Sequence, residues 1–242
     1  MKLYCVGCGP GDPDLLTIKA IKLIESAQTI FAPTARDGRP SAALNIAKKY
    51  LKNSTKTISL IFPMIKDKES LKECWKRNTQ EIVDSVKSGK RVVYLTVGDP
   101  ALYSTWIYIH RELIRHYKNI EVEIVPGIAS MCAFAAKTKM SLVEGDETLG
   151  IVPACYDLER VKKTANSCDT VIFLKDGRYF DSVIEMLHES GFEGDSTIAV
   201  AQDLWAEEEI MKVTKLSELK RTKGTTQKYF SIMVAKKKND TK

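Results

Sequence analysis

The sequence predicts an α/β protein of two domains, and three observations carry that prediction. Short β-branched runs alternate with helix-patterned segments up to residue 137, a polar, Gly-containing stretch interrupts them at about 144–150, and strands then resume with less helix between them. Strict alternation implies a parallel sheet with helices on its faces, whereas consecutive strands imply a mixed sheet. The expected division is an N-terminal α/β domain over 1–145 and a C-terminal α/β domain over 146–242, with the ligand cleft between them, since such folds bind at strand carboxyl ends and between domains.

In order, "KLYCVG" reads as the first strand, followed by a helix over 14–27, the strand "TIFAP" and a helix over 41–52. "KTISLI", a helix over 68–88, "RVVYLTV", a helix over 105–117, "VEIVPG" and a helix over 129–137 complete the series. Past the polar stretch come "GIVPA", "TVIFLK", a helix over 179–190, "TIAVAQ", "EIMKVT" and "YFSIMVAKK". The 242 residues, 44% of them hydrophobic, supply enough apolar surface for a sizeable core.

No apolar run approaches the roughly 20 residues that a membrane span needs, and the first residues reach polar turn chemistry too early for a signal segment. A soluble cytoplasmic protein is expected. The formal charge of +6 suits an anionic ligand, but no Lys/Arg cluster is interleaved with aromatics as a nucleic-acid face requires. Cys5 and Cys8 form a C-x-x-C on an apparent strand with no His nearby and no second ligand pair, so no metal is expected, and the six cysteines read as buried thiols.

Three strand-end loops carry the chemistry. "VGCGPGDPDLLT" resembles a phosphate-cradling turn, but its glycines are spaced G-x-G-x-G and Asp12 stands at the position of the third glycine of a dinucleotide loop. Asp12 and Pro13 form an N-cap and N1 pair for a helix whose apolar face is Leu16, Ala20, Leu23, Ile24 and Ala27. A carboxylate there repels a pyrophosphate, which weighs against a nicotinamide-dependent oxidoreductase. In "GDPALYSTW", Gly98 permits close backbone approach, Pro100 fixes the turn, and Ser104 and Thr105 offer hydroxyls and a helix cap. "VEIVPGIAS" ends in the Pro126–Gly127 turn, with Ser130 opening the next helix.

The stretches "VGCGPGDPDLLTIKA", "GDPALYST" and "VPGIAS", in that order, together with the closing strand "YFSIMVAKK", resemble the tetrapyrrole (corrin and porphyrin) methylases, which use S-adenosylmethionine and release S-adenosylhomocysteine. "GDPALYST" followed by "WIYIHREL", with a second domain opening on "GIVPA", most resembles the branch that methylates C20 of precorrin-2 or cobalt-factor II in cobalamin synthesis. The resemblance implies a donor held mainly by backbone groups. It places Pro10 at the floor of the cleft, Gly98, Asp99, Pro100, Leu102 and Tyr103 at the amino-acid end, and Ser104, Thr105, Ser130 and Met131 on the adjacent wall. From the second domain it places Ala154, Lys175 and the turn Ala201, Gln202, Asp203 and Leu204 at the adenosine.

For the proton that leaves the methylated carbon, Tyr103, Asp99 and Asp12 are candidates, with Tyr103 and Asp99 taken as the catalytic pair. The Asp that another branch places after its second strand is Pro33 here, so that base does not carry over. A polycarboxylate tetrapyrrole implies a basic rim, and Arg36, Arg39 and Lys66, with Asp12, are its candidate substrate contacts. His110, His116 and His188 lack metal-ligand spacing and read as structural; the resemblance also implies a homodimer. Methylation of a tetrapyrrole at a different ring position, methylation of ribosomal RNA or a protein side chain on the same fold, a nicotinamide-dependent oxidoreductase and a non-catalytic anion-binding module are the competing readings.

Overall fold

The computed structural model describes residues 1–36, 38, 40–153, 157–174, 180–202, 204–205, 209–219 and 231–238. The chain divides into two compact units, Met1–Ala129 and Ser130–Lys242.

In the first unit, β1 (Lys2–Gly7), β2 (Thr29–Thr34), β3 (Lys56–Ile61), β4 (Val92–Thr96) and β5 (Glu121–Val125) form a parallel sheet in the order β3-β2-β4-β1-β5. The side-chain alternation of the inner strands β1, β2 and β4 feeds two cores. Val92 and Tyr94 of β4 point to one face with Leu3, Cys5 and Phe31, under α3 (Lys68–Lys87) and α4 (Trp106–His116). Val93 and Leu95 point to the other face with Val6, Cys8 and Ile30, under α1 (Ile18–Ser26) and α2 (Ala42–Ala47). The buried rings of Phe31, Tyr94 and Trp106 contribute about 1.5–3 kcal/mol each by removal of apolar area from water.

The expected helix over 14–27 is two elements. Asp12 accepts from the Asp14 amide at 2.8 Å and caps a single 3₁₀ turn, Pro13–Leu15, while α1 starts at Ile18 under its own cap, Thr17, whose hydroxyl accepts from the Ala20 amide at 3.1 Å. The apolar stripe is as expected, for Leu16, Ala20, Ile24 and Ala27 all enter the core.

In the second unit, α5 (Ser130–Thr138) precedes β6 (Leu149–Pro153), α6 (Leu158–Ser167), β7 (Thr170–Leu174), α7 (Phe180–Glu189), β8 (Thr197–Gln202), β9 (Ile210–Lys215) and β10 (Ser231–Lys236). The sheet is mixed, in the order β6-β7-β10-β8-β9, with only β6 and β7 parallel. Its one face is covered by α6 and α7, through Val161, Ala165, Val183 and Leu187. The other receives Phe134 of α5, fully buried with Ile172, Ala199, Ile232 and Val234. That packing groups α5 with the second sheet, so the division between units falls at 129/130 where the sequence reading drew it at 145/146. Helix α6 carries only Leu158, Val161 and Ala165 as an apolar stripe in a charged segment, and the sequence reading passed over it.

Candidate active site

The carboxyl ends of β4, β1 and β5, neighbours in the sheet, bring the three Gly-containing loops together backbone against backbone. The Cys8 amide extends the β1–β4 pairing by donating to the Thr96 carbonyl at 2.8 Å. Gly9 and Gly98 then form an antiparallel bridge, the Gly98 amide donating to the Gly9 carbonyl at 2.7 Å and the Gly9 amide to the Gly98 carbonyl at 3.3 Å. A Cβ on Gly127 would stand 2.2 Å from that Gly98 carbonyl oxygen, and one on Gly7 would stand 2.6 Å from both this oxygen and the Gly127 amide nitrogen. Gly98 itself has φ +67 with nothing within 4 Å of a Cβ, so on that side the turn leaves open room against exposed backbone.

Asp99 completes the junction. One carboxylate oxygen accepts from the Ala101 amide at 2.8 Å and the other from the Gly127 amide at 3.0 Å, joining the loops after β4 and β5. Both oxygens are thereby committed to the protein's own amides.

The hydroxyls after it turn inward as well. Ser104 is buried, pairs with the Thr96 hydroxyl at 2.8 Å and accepts from the Trp106 amide at 3.1 Å, which makes it the side-chain cap at the start of α4. The Thr105 hydroxyl lies 2.9 Å from that of Tyr94, whose burial pushes its ionisation far above the usual tyrosine range. What Ser104 and Thr105 present outward is therefore backbone. Tyr103 is different, with φ +50, a left-handed conformation that costs a bulky residue strain, and a side chain 43% exposed. Pro100 is buried and fixes the turn, Leu102 two residues on is half-buried, and Pro10, in the loop after β1, is half-buried as well.

Asp12 spends its carboxylate on the 3₁₀ cap described above. Arg36 and Lys66 are exposed beyond the carboxyl ends of β2 and β3, the same end of the parallel sheet. Arg39 lies outside the described residues. The loop set fits a ligand held by amides and carbonyls: its central carboxylate is engaged by N–H donors, two of its hydroxyls are occupied, and Gly98 opens backbone to an approaching group.

In the second unit, Ser130 and Met131 form the first turn of α5, both half-buried. Ala201 is buried in the core, Gln202 ends β8 opposite Ile210 and Ser231, and Leu204 packs on the same apolar cluster as Met131. Ala154, Lys175 and Asp203 lie outside the described residues.

The sequence reading missed the structural weight of Gly7 and Gly127; the signal was available in their places at the ends of strands that would neighbour one another in a doubly wound sheet. The C-x-x-C resolves through strand alternation, since an odd separation sends Cys5 to one face of the sheet and Cys8 to the other. Burial pushes the Cys8 thiol up to about 12 and Cys5 well above its usual value, so neither presents a thiolate at neutral pH. His110 stacks on Trp106 and is pushed down by burial, and His116 lies 3.7 Å from Glu112, both on α4.

The comparisons with known proteins agree with this geometry. Residues 2–220 match the family model described as Tetrapyrrole (Corrin/Porphyrin) Methylases. The chain is 38% identical over 218 residues to a protein of Methanocaldococcus jannaschii named probable cobalt-precorrin-2 C(20)-methyltransferase, covering 90% of this chain and 89% of that one. It is 32% identical over 190 residues to the cobalt-precorrin-2 C(20)-methyltransferase of Salmonella typhimurium, covering 78% and 79%. Among solved structures, a cobalt precorrin-4 methyltransferase superposes with TM-score 0.75 at 24% identity over 97% of this chain and 94% of that one. A uroporphyrin-III C-methyltransferase of Thermus thermophilus complexed with S-adenosylhomocysteine superposes with TM-score 0.67 at 20% identity over 98% and 97%. This chain belongs to the tetrapyrrole (corrin/porphyrin) methylases.

Proposed function

We propose that this protein is an S-adenosylmethionine-dependent methyltransferase that methylates C20 of precorrin-2 in its cobalt-bearing form, a step of cobalamin synthesis. The observation that carries the reading is the 38% and 32% identity, over most of the chain, to proteins named for that reaction. When bound, the donor supplies a sulfonium methyl open to in-line attack by an electron-rich ring carbon, so the protein's work is alignment and exclusion of water.

In this reading Gly98, Asp99, Pro100, Leu102 and Tyr103 surround the donor's amino-acid end, Pro10 forms the floor beneath it, and Ser104 and Thr105 stand on the adjacent wall. Ser130, Met131, Ala201, Gln202 and Leu204 belong to the donor site in the second unit, as do Ala154, Lys175 and Asp203. Arg36, Arg39 and Lys66 bind substrate carboxylates, and Asp12, grouped with them in this reading, caps the turn after β1. Of the three carboxyl and phenol groups considered for proton removal, Asp99 and Asp12 are engaged by backbone amides. Tyr103, 43% exposed on this loop, is taken as the catalytic residue of this reading, its phenolate Oη taking the proton that leaves C20 to give the phenol, and Asp99 holds the loop that presents it. Family resemblance extends the reading to a homodimer acting in the cytoplasm; among the described residues no helix is long and apolar enough to cross a membrane.

The test pairs binding with transfer. S-adenosylhomocysteine at 100 times its dissociation constant raises stability by about 2.7 kcal/mol, and NADH at equal concentration leaves it unchanged. Anaerobic incubation of S-adenosylmethionine with the cobalt-bearing substrate adds one methyl by mass. Stabilisation by NADH, or donor binding with no methyl transferred, contradicts the reading.

A further inference from the structure

Glu209 and Lys137 are 72 residues apart in sequence and meet in the second unit, where the Lys137 ammonium on the last turn of α5 pairs with both carboxylate oxygens of Glu209. The same ammonium lies 4.8 Å from the centroid of the Trp205 ring, and Glu209 accepts from the Trp205 amide at 2.6 Å. Trp205 has φ +63, so a bulky residue is held in a left-handed conformation by three contacts that converge on it and its neighbours. The pair is partly shielded, with side chains 32% and 19% exposed. Burial pushes the Glu209 carboxyl up, and the Lys137 ammonium and Trp205 amide outweigh it to hold the group below its ordinary value.

The hairpin does not need this arrangement to pair. β8 and β9 are joined along their full lengths, from Thr197 opposite Lys215 to Gln202 opposite Ile210. The contacts act instead on what flanks the hairpin. Leu204, the residue before Trp205, packs on the same apolar cluster as Met131 in the first turn of α5. The two segments are thus tied twice, by apolar packing through Met131 and Leu204 and by a charged latch through Lys137 and Glu209.

We propose that Glu209 is a positioning residue for the methyl donor: with Lys137 and Trp205 it fixes the end of β8 against α5, and so sets donor affinity without touching the reacting atoms. The inference rests on the reading above that places Ser130, Met131 and Ala201–Leu204 at the donor.

The test measures S-adenosylhomocysteine binding by calorimetry, with steady-state kinetics and unfolding midpoints, for the unsubstituted protein and for Glu209→Gln, Lys137→Met and Lys137→Arg. The inference expects Glu209→Gln and Lys137→Met each to weaken binding and raise the donor KM about tenfold, with kcat at saturating donor within about twofold. It expects Lys137→Arg, whose guanidinium keeps both the carboxylate pair and the ring contact, to restore binding to within about threefold. Unchanged affinity in either neutralised variant, with or without a lower unfolding midpoint, overturns it, because a purely structural brace moves stability alone. If one variant fails to fold, the other decides by the same criterion. Absence of binding by the unsubstituted protein overturns the donor reading itself and this inference with it.

Discussion

The loops that end the parallel sheet and the turn that ends β8 are both read as donor-binding, and they are built by opposite means. In the first unit Gly7, Gly98 and Gly127 interlock backbone against backbone, with no space for a Cβ at two of the three positions. In the second, Lys137, Trp205 and Glu209 are joined by a charge pair, a hydrogen bond from the Trp205 amide and a ring contact. Backbone interlocks fail all at once when a methyl group is added, because neighbouring main chain has no rotamer to change. Side-chain latches fail by degrees.

The largest effect expected is therefore from Gly127→Ala, where the added Cβ meets the Gly98 carbonyl at 2.2 Å. Denaturant unfolding should show a loss of more than about 3 kcal/mol, or no folded protein at all. Gly98→Ala, in the same junction but with open space at its Cβ, should cost only about 1–2 kcal/mol from its positive φ. Equal losses at the two positions would break the distinction drawn here.

Asp99→Asn comes next. It keeps one acceptor and turns an amide group toward a backbone N–H, at a cost of about 1–3 kcal/mol in stability, and it weakens donor binding along with rate. Were Asp99 the proton acceptor, kcat would fall by about 10²–10⁴ with stability unmoved. Thermal unfolding and the split between KM and kcat decide between the two.

Ser104→Ala removes the cap on the Trp106 amide and the partner of the buried Thr96 hydroxyl, for about 1 kcal/mol of stability by chemical denaturation. The smallest effect is chemical. At pH 8 a thiol reagent should label the exposed Cys132 rapidly and leave Cys5 and Cys8 unmodified until the protein unfolds, since both are buried and protonated there. Rapid labelling of Cys5 or Cys8 in the native protein would contradict their burial in the two cores on either face of the first sheet.

Much of this architecture was legible in the sequence because the inner strands β1, β2 and β4 are largely apolar runs punctuated by Gly and Pro, while the edge strands β3 and β5 mix apolar with polar residues. Such apolar runs belong to parallel strands buried on both faces. The stripe of Leu16, Ala20, Leu23, Ile24 and Ala27 was legible through its helical spacing, and Leu23 packs at its edge, partly buried. What escaped had weaker local signals. Helix α6 hides its stripe among charges, and the break between the Asp12 turn and α1 depends on Thr17, which reads as an ordinary helical position until its hydroxyl is seen on Ala20. Membership of α5 in the second unit depends on what Phe134 packs against, a long-range contact. The inward turn of Ser104 and Thr105 and the double engagement of Asp99 are likewise contacts between loops, invisible to a motif that records residue type alone. The latch joins positions too far apart for any window to relate.

The most direct measurement of the central claim is carbon-13 NMR of the product formed anaerobically from a donor labelled at its methyl carbon and the cobalt-bearing substrate. A single labelled methyl at C20 is the predicted result. A label at any other ring position, or no label in the macrocycle, contradicts it.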